Sequence, residues 1–390
     1  MHASRALHNC LSNALAGLHQ RRAEALLGCV DALSAGRRLT LTDLARSWPG
    51  AERIAAPLKR VDRLLSNPQL QVEAKSLYAA MAAILLRGLP QPVIVVDWSE
   101  LNRRKHAVLR AALVWQGRTL TVAEIVTPYR KMNSPGIETR LLEQLSQMIP
   151  ATARPILVTD AGFGPIWFLK VTAKGWYFVG RIRSSIMEVK SAGMPWRSCR
   201  SLYATTPQRT CDLSDFLLAR KHKMWVRLVL HRKKRRGRVH RNLKGERAKD
   251  NKSRQVAARE SEPWLLAVSP QLDHHAAQIV ALYAKRMQIE QSFRDLKSHR
   301  FGMAFEDSLT RKPERLSILL LILALVSFAA WACACAATSA DWTRAQQRLV
   351  RKTSRRPLSW FRIGVALLMD PAWRPPQTFT FAHPDTGNFA

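Results

Sequence analysis

Three acidic residues in this chain occur in contexts that suit metal-assisted chemistry. Asp97 lies in PVIVVDWSE (Pro92 to Glu100), Asp160 in PILVTDAGFG (Pro155 to Gly164), and Glu290 in ALYAKRMQIEQSFRDLKSHR (Ala281 to Arg300). Each aspartate closes a short apolar run, the pattern of a buried strand with a carboxylate where it emerges. In the third stretch Tyr283, Arg286, Glu290 and Lys297 follow one another at spacings of three, four and seven. On a continuous helix they share one narrow stripe, and Arg294 joins it. Three carboxylates can hold two hard divalent cations about 3.5–4 Å apart, the arrangement that drives in-line displacement at phosphorus. Tyr, Arg and Lys beside such a site are phosphate-holding side chains. The plainer reading is a surface helix with an i, i+4 ion pair at Arg286/Glu290, and two aspartates that form turns.

The whole chain weighs on that choice. Its 390 residues carry 62 Lys and Arg against 28 Asp and Glu, a net charge of +34. Such a balance calls for a polyanionic partner, of which nucleic acid is the commonest. Six cysteines without a CxxC pair or zinc-like spacing read as reduced structural thiols. The first residues, MHASRALHNCLSNAL, make a poor signal peptide. Leu316 to Ala340 contains no charged residue and is long enough to span a bilayer, but a fully buried core helix has the same composition.

The elements that must position the three acids follow from periodicity. Residues 1 to about 75 read as helical. Leu41 to Ser47 forms a short helix with Thr40 or Thr42 as N-cap, Trp48-Pro49-Gly50 forces a turn, and a second helix opens at Pro57. Leu58, Val61 and Leu65 fall on one face of that helix and Lys59, Arg60 and Arg63 elsewhere, which is what a major-groove reader presents, or a small bundle with a basic surface. An apolar helix over Leu77 to Leu89 precedes the Asp97 strand. Two further strands flank the hairpin signal Gln116-Gly117-Arg118. A helix over Ile137 to Met148, the Asp160 strand, a helix over Pro165 to Ala173 and the strand GWYFVGRIR complete an α/β unit. In it the two aspartates share a sheet edge if their strands are neighbours. Arg220 to Arg254 then holds sixteen Lys or Arg and two acids around the strand-like MWVRLVLH, and reads as a β-rich insertion with a basic loop centred on RKKRRGR. PWLLAVS is another strand, and the Glu290 helix begins near His275. Helices over Trp342 to Val350 and Trp360 to Met369 and a Pro-rich tail end the chain.

The spacing Y-x2-R-x3-E-x6-K, together with VDWS around Asp97 and TDAGF around Asp160, resembles the bacterial cut-and-paste DDE transposases of insertion-sequence family 4. RMQIEQSFRDLKS is similar above all to the transposon-ten branch. The resemblance runs from about Leu39 to about Leu367. It implies an α/β, RNase H-like (retroviral-integrase-like) catalytic core with a helical N-terminal DNA-binding domain, a β-rich insertion and a helical C-terminal segment. Asp97, Asp160 and Glu290 would bind two Mg2+ ions, or Mn2+ in their place. Tyr283, Arg286 and Lys297 would hold phosphates near the cleaved end, and Trp264 would stack on a base flipped out during hairpin formation. Arg181 or Arg183 would touch DNA at the end of its strand. Met287 stands where the transposon-five branch has a second tryptophan.

The expected division is a helical end-recognition domain over 1–75, core segments over 76–183 and 263–345, the insertion over 184–262, and a C-terminal segment over 346–390 with dimer contacts. The expected partners are double-stranded DNA, both element ends and target, and a second copy of the chain in a paired-end complex, with no membrane and no small-molecule substrate, in the bacterial cytoplasm at the nucleoid. Two rival readings are a nuclease of the same fold without strand transfer, and a non-catalytic DNA-binding regulator.

Overall fold

The structure is a computed structural model that describes residues 2–183, 187–204, 209–232, 262–299, 302–349 and 358–381. The basic stretch over 233–254 and the break over 351–357 lie outside the described residues. The chain divides into two compact units, Met1–Ala153 with Met287–Ala390, and Arg154–Arg286.

The first unit opens with helices α1 (Ala3–Ala16), α2 (Gln20–Gly36), α3 (Leu41–Arg46), α4 (Ala55–Leu65) and α5 (Pro68–Leu85). Thr40 caps α3 by accepting the Asp43 N–H at 3.0 Å, and Asn67 caps α5 by accepting the Leu70 N–H at 3.0 Å. Helix α4 starts two residues before Pro57. It buries Val61, Leu64 and Leu65 and leaves Lys59, Arg60 and Arg63 exposed. Strands β1 (Val93–Leu101), β2 (His106–Trp115) and β3 (Arg118–Pro128) form an antiparallel meander in the order β3-β2-β1. The β2–β3 turn is Gln116-Gly117 with φ of 36° and 85°, the doubly positive geometry that two-residue hairpins favour. Helix α6 (Pro135–Met148) packs on β2 and β3.

The second unit contains β4 (Ile156–Thr159), α7 (Pro165–Ala173), β5 (Tyr177–Ile182), β6 (Glu188–Lys190), β7 (Arg197–Ser198), β8 (Thr210–Leu218), β9 (Met224–His231), β10 (Trp264–Val268) and α8 (Ala276–Ala284). Its strands follow the order β4-β5-β10-β9-β8-β6-β7, with β4 and β5 parallel and the other pairs antiparallel. The strands expected as an insertion thus extend the sheet of β5 and β10, because β9 pairs along the whole of β10. Gly180 on β5 lets the Phe168 ring stack on Phe178 at 4.5 Å, since a Cβ there would come within 2.4 Å of that ring.

The first unit closes with α9 (Met287–Lys297), α10 (Pro313–Ala336), α11 (Ser339–Leu349) and α12 (Trp360–Leu368). Helix α10 contains the uncharged stretch with the composition of a membrane span. Of its most apolar window 89% is buried, and the helix packs against α1, α2, α4, α5, α12 and β3 as the core helix of this unit. An all-round apolar helix is what a position surrounded by other elements requires.

The Glu290 stretch is not one helix. Helix α8 ends at Ala284 and α9 begins at Met287, with Lys285 and Arg286 in a turn between them. There the Lys285 N–H is shared between Ala281 O at 3.3 Å and Leu282 O at 3.1 Å, and the Arg286 N–H donates to Tyr283 O at 3.1 Å, a shift to i−3 bonds that tightens the backbone as the α-helical ladder ends. Tyr283 and Arg286 belong to the second unit, Glu290 and Lys297 to the first. The single stripe expected from the spacing is therefore interrupted.

Helices α10 and α12 are in close contact where Gly364 meets the Ala330 backbone: a Cβ at Gly364 would lie 2.0 Å from Ala330 O. Backbone cannot yield as a flexible side chain does. Gly364→Ala is expected to lower stability by about 1–3 kcal/mol in urea unfolding, whereas an unchanged midpoint would mean the crossing is loose.

Candidate active site

In the first unit, Asp97 is the middle residue of β1 and not its end, because the pairing with β2 continues past it from Asp97↔Arg110 to Leu101↔His106. Its carboxylate is buried, at 9% exposure, and its Oδ1 accepts the Trp98 N–H at 2.8 Å. A buried carboxylate is costly unless donors or a cation compensate it. Helix α9 docks on β1, β2 and β3 through the buried Ile289, Phe293 and Leu296. Glu290 and Lys297, two turns apart, flank that apolar stripe with intermediate exposure, and Arg294 is exposed. Lys297 Nζ donates to Ser99 Oγ at 2.9 Å. Ser99 is two residues after Asp97 and so on the same face of the strand. Burial holds the Lys297 ammonium below the usual lysine range, with Glu306 and Glu100 opposing that shift and Arg110 adding to it.

In the second unit, Asp160 follows β4 directly, at the strand end as expected. Its Oδ1 accepts the Gly162 N–H at 2.8 Å, which fixes the turn into α7. Tyr283 is buried on α8, and its ring meets Trp264 edge-on at 4.7 Å, while the Arg286 guanidinium lies 5.9 Å from the Tyr283 centroid. Burial pushes the Tyr283 hydroxyl above its ordinary value. Arg286 and Arg181 pull it back, and Asp160 adds to the rise, so these groups share one electrostatic neighbourhood. Trp264, half-buried at the start of β10, also faces His231 at 5.6 Å. Arg183 is committed to Glu262 at 2.5 Å, and the same carboxylate also takes Arg200.

The structure thus gathers Asp97, Glu290 and Lys297 on packed elements of one unit, and Asp160, Tyr283, Arg286, Arg181 and Trp264 in the other. Among the described residues no group of three or more His, Cys, Asp or Glu side chains forms a ready metal cage. Residues 88–329, more than half of the chain, match the family model described as Transposase DDE domain. The chain belongs to the DDE transposase family. The matched span holds all three acids and every described strand; membership of the family implies an RNase H-like fold, the described strands and helices are α/β, and the enzyme is a metal-dependent DNA-cutting transposase. Divalent metal and DNA are the cofactor and substrate classes of that family. A search of curated proteins gave no match.

Sequence reasoning missed Ser99, His231, Arg110 and Glu124. Ser99 was legible in hindsight through the two-residue period of β1, and the lone charges of β2 and β3 stand out within apolar runs. The lowered Lys297 pKa has a measurable consequence. The native state binds fewer protons than the unfolded chain between that lowered value and the ordinary lysine value, so this group's contribution to stability rises with pH across that window and is unfavourable below it. Lys297→Met is therefore expected to melt at the same or a higher temperature than wild type at pH 7; a clear fall would show that the Ser99 contact outweighs the burial cost.

Proposed function

We propose that Asp97, Asp160 and Glu290 are the metal-binding triad of an insertion-sequence family 4 transposase of the transposon-ten type. The observation that best supports this is the docking of α9, which carries both Glu290 and Lys297, on the sheet that holds the buried Asp97, with Lys297 tied to β1 by the Lys297–Ser99 hydrogen bond. The donor chemistry fits Mg2+ or Mn2+, which take carboxylate oxygens. When bound, two such ions would activate the attacking oxygen and stabilise the leaving one.

The protein's own groups bind and orient DNA. Tyr283, Arg286 and Lys297 hold phosphates at the element end, with Arg294, and Arg183 at lower charge because Glu262 neutralises it. Lys59, Arg60 and Arg63 on the exposed face of α4 recognise the terminal repeat, in the N-terminal domain over 1–75, and Arg315 anchors that helix by pairing with Asp62 at 2.8 Å. Water attack frees the 3′ end, the new 3′-hydroxyl attacks the opposite strand to give a hairpin, and reopening precedes strand transfer into target DNA. Trp264 takes the base that must leave the stack, since its ring already packs edge-on against an aromatic partner and keeps a partly open surface. The remaining division is a core over 76–183 and 263–345, the basic insertion over 184–262 and a C-terminal segment over 346–390 that contributes to a homodimer on paired ends, at the bacterial nucleoid.

Two variants test the reading with purified protein, Mg2+ and a plasmid carrying two candidate ends. Glu290→Gln is expected to bind the ends and leave them uncut, where wild type excises the segment with hairpin termini; cutting at the wild-type rate would remove Glu290 from the triad. Trp264→Ala is expected to nick nearly normally but to accumulate nicked ends without hairpins, and equal loss of both steps would make it a packing residue. Excision by wild type without any insertion into target would favour the nuclease reading.

A further inference from the structure

Three charged residues lie in one row across the sheet of the first unit. Asp97 is directly opposite Arg110 in the β1–β2 ladder, and Arg110 is directly opposite Glu124 in the β2–β3 ladder. Directly opposed residues of antiparallel strands project from the same face, with Cβ atoms about 4.5–5.5 Å apart. Arg110 therefore stands between two carboxylates, and its side chain is turned to Glu124: Nε donates to Glu124 Oε2 at 2.7 Å, and Nη2 lies 2.7 Å from the same oxygen. The other oxygen, Oε1, accepts from the Tyr78 hydroxyl at 2.5 Å, and the guanidinium lies 4.8 Å from the centre of the Phe293 ring on α9. Both side chains of the pair are only 4% exposed, so water screens them little.

We propose that Glu124 is a positioning residue for Asp97. By holding Arg110, and being held itself by Tyr78, it prevents the guanidinium from pairing with the carboxylate next to it in the row. An Arg110–Asp97 pair would neutralise that carboxylate and compete with a divalent cation for the same oxygens. The guarding role rests on the reading of Asp97 as a metal ligand. It differs from a merely structural ion pair in one respect. Removing Glu124 alone releases a buried cation toward Asp97, whereas removing both charges leaves no competitor, and neutral replacement of a whole buried pair is often tolerated.

The test is direct Mn2+ binding to the full-length protein, followed by electron paramagnetic resonance of the free ion, without reference to cleavage. Glu124→Gln is expected to weaken Mn2+ binding by at least about tenfold, because a unit positive charge at this range in a poorly screened site is strongly felt. The double variant Arg110→Gln/Glu124→Gln is expected to return to within about threefold of wild type. Wild-type affinity in Glu124→Gln, or a double variant no better than the single one, would overturn the proposal. Should Glu124→Gln fail to fold, as judged by circular dichroism, Tyr78→Phe decides: a weakening of about two- to threefold supports the guard, and no change overturns it. Asp97→Asn is the control that separates the two readings. If it binds Mn2+ like wild type, the metal assignment falls and the guard with it; if it loses binding while Glu124→Gln does not, the guard alone falls.

Discussion

A buried ion pair, Arg110 with Glu124, sets the terms for the polar architecture of the first unit. Both side chains are almost fully buried among the strands, and removing either partner of such a pair would leave an uncompensated charge worth about 3–5 kcal/mol. The pair forms only because β3 carries a bulge. From the Gln116-Gly117 turn outward the register runs Trp115↔Arg118 to Ala112↔Thr121, and would put Arg110 opposite Ala123, with Glu124 on the other face. The irregularity between Ala111 and Ala112 shifts it by one, so Arg110 meets Glu124. One extra residue thus decides which side of the sheet receives the second charge.

Helix α9 is seated on that same pair. Phe293 covers the Arg110 guanidinium, a cation–π contact in a site shielded from water, and Ile289 and Leu296 supply apolar burial on either side. Burial gives the helix its affinity for the sheet but little preference among positions along it. Register comes from polar contacts at the edges: Ser292 Oγ accepts from the Thr119 backbone at 3.1 Å, Arg118 pairs with Asp295 at 2.6 Å, and Lys297 reaches Ser99 at 2.9 Å. Three separate strand positions are thereby fixed to one helix. Glu290 is held by that registration rather than by contacts of its own residue alone.

Much of this was legible in the amino-acid order. The short apolar runs gave β1 and β4, the Gln116-Gly117 dipeptide gave the hairpin, Thr40 marked the start of α3, and the spacing around the three acids pointed to the DDE transposase family that the chain belongs to. What was not legible has a common cause in tertiary pairing. Asp97 looked like a strand end because the apolar run stops there, yet pairing with β2 carries the strand to Leu101 through polar residues. The break at Lys285–Arg286 contains neither Gly nor Pro, and both residues are good helix formers, so nothing local announced it. A β-bulge likewise has no signature in a run such as TLTVAEIVT, and the Arg110–Glu124 pairing depends on it.

The second unit illustrates how a strand sorts two identical residues into different roles. Arg181 and Arg183 are two apart on one extended segment and project to the same face, so sequence alone treats them alike. Their neighbours do not. Arg183 faces Glu262, which it shares with Arg200, and that carboxylate is held below its usual range by the two guanidiniums against the opposing effect of burial. Arg181 has only a long contact of 3.4 Å to Pro263 O, its Nε is a buried donor without a hydrogen-bond partner among the described residues, and its charge acts on Tyr283. Arg183 also keeps a buried donor without a partner among the described residues, its Nη2, so what separates the two is charge: Arg183 is bound to a carboxylate through Nε, and Arg181 has no carboxylate partner among the described residues.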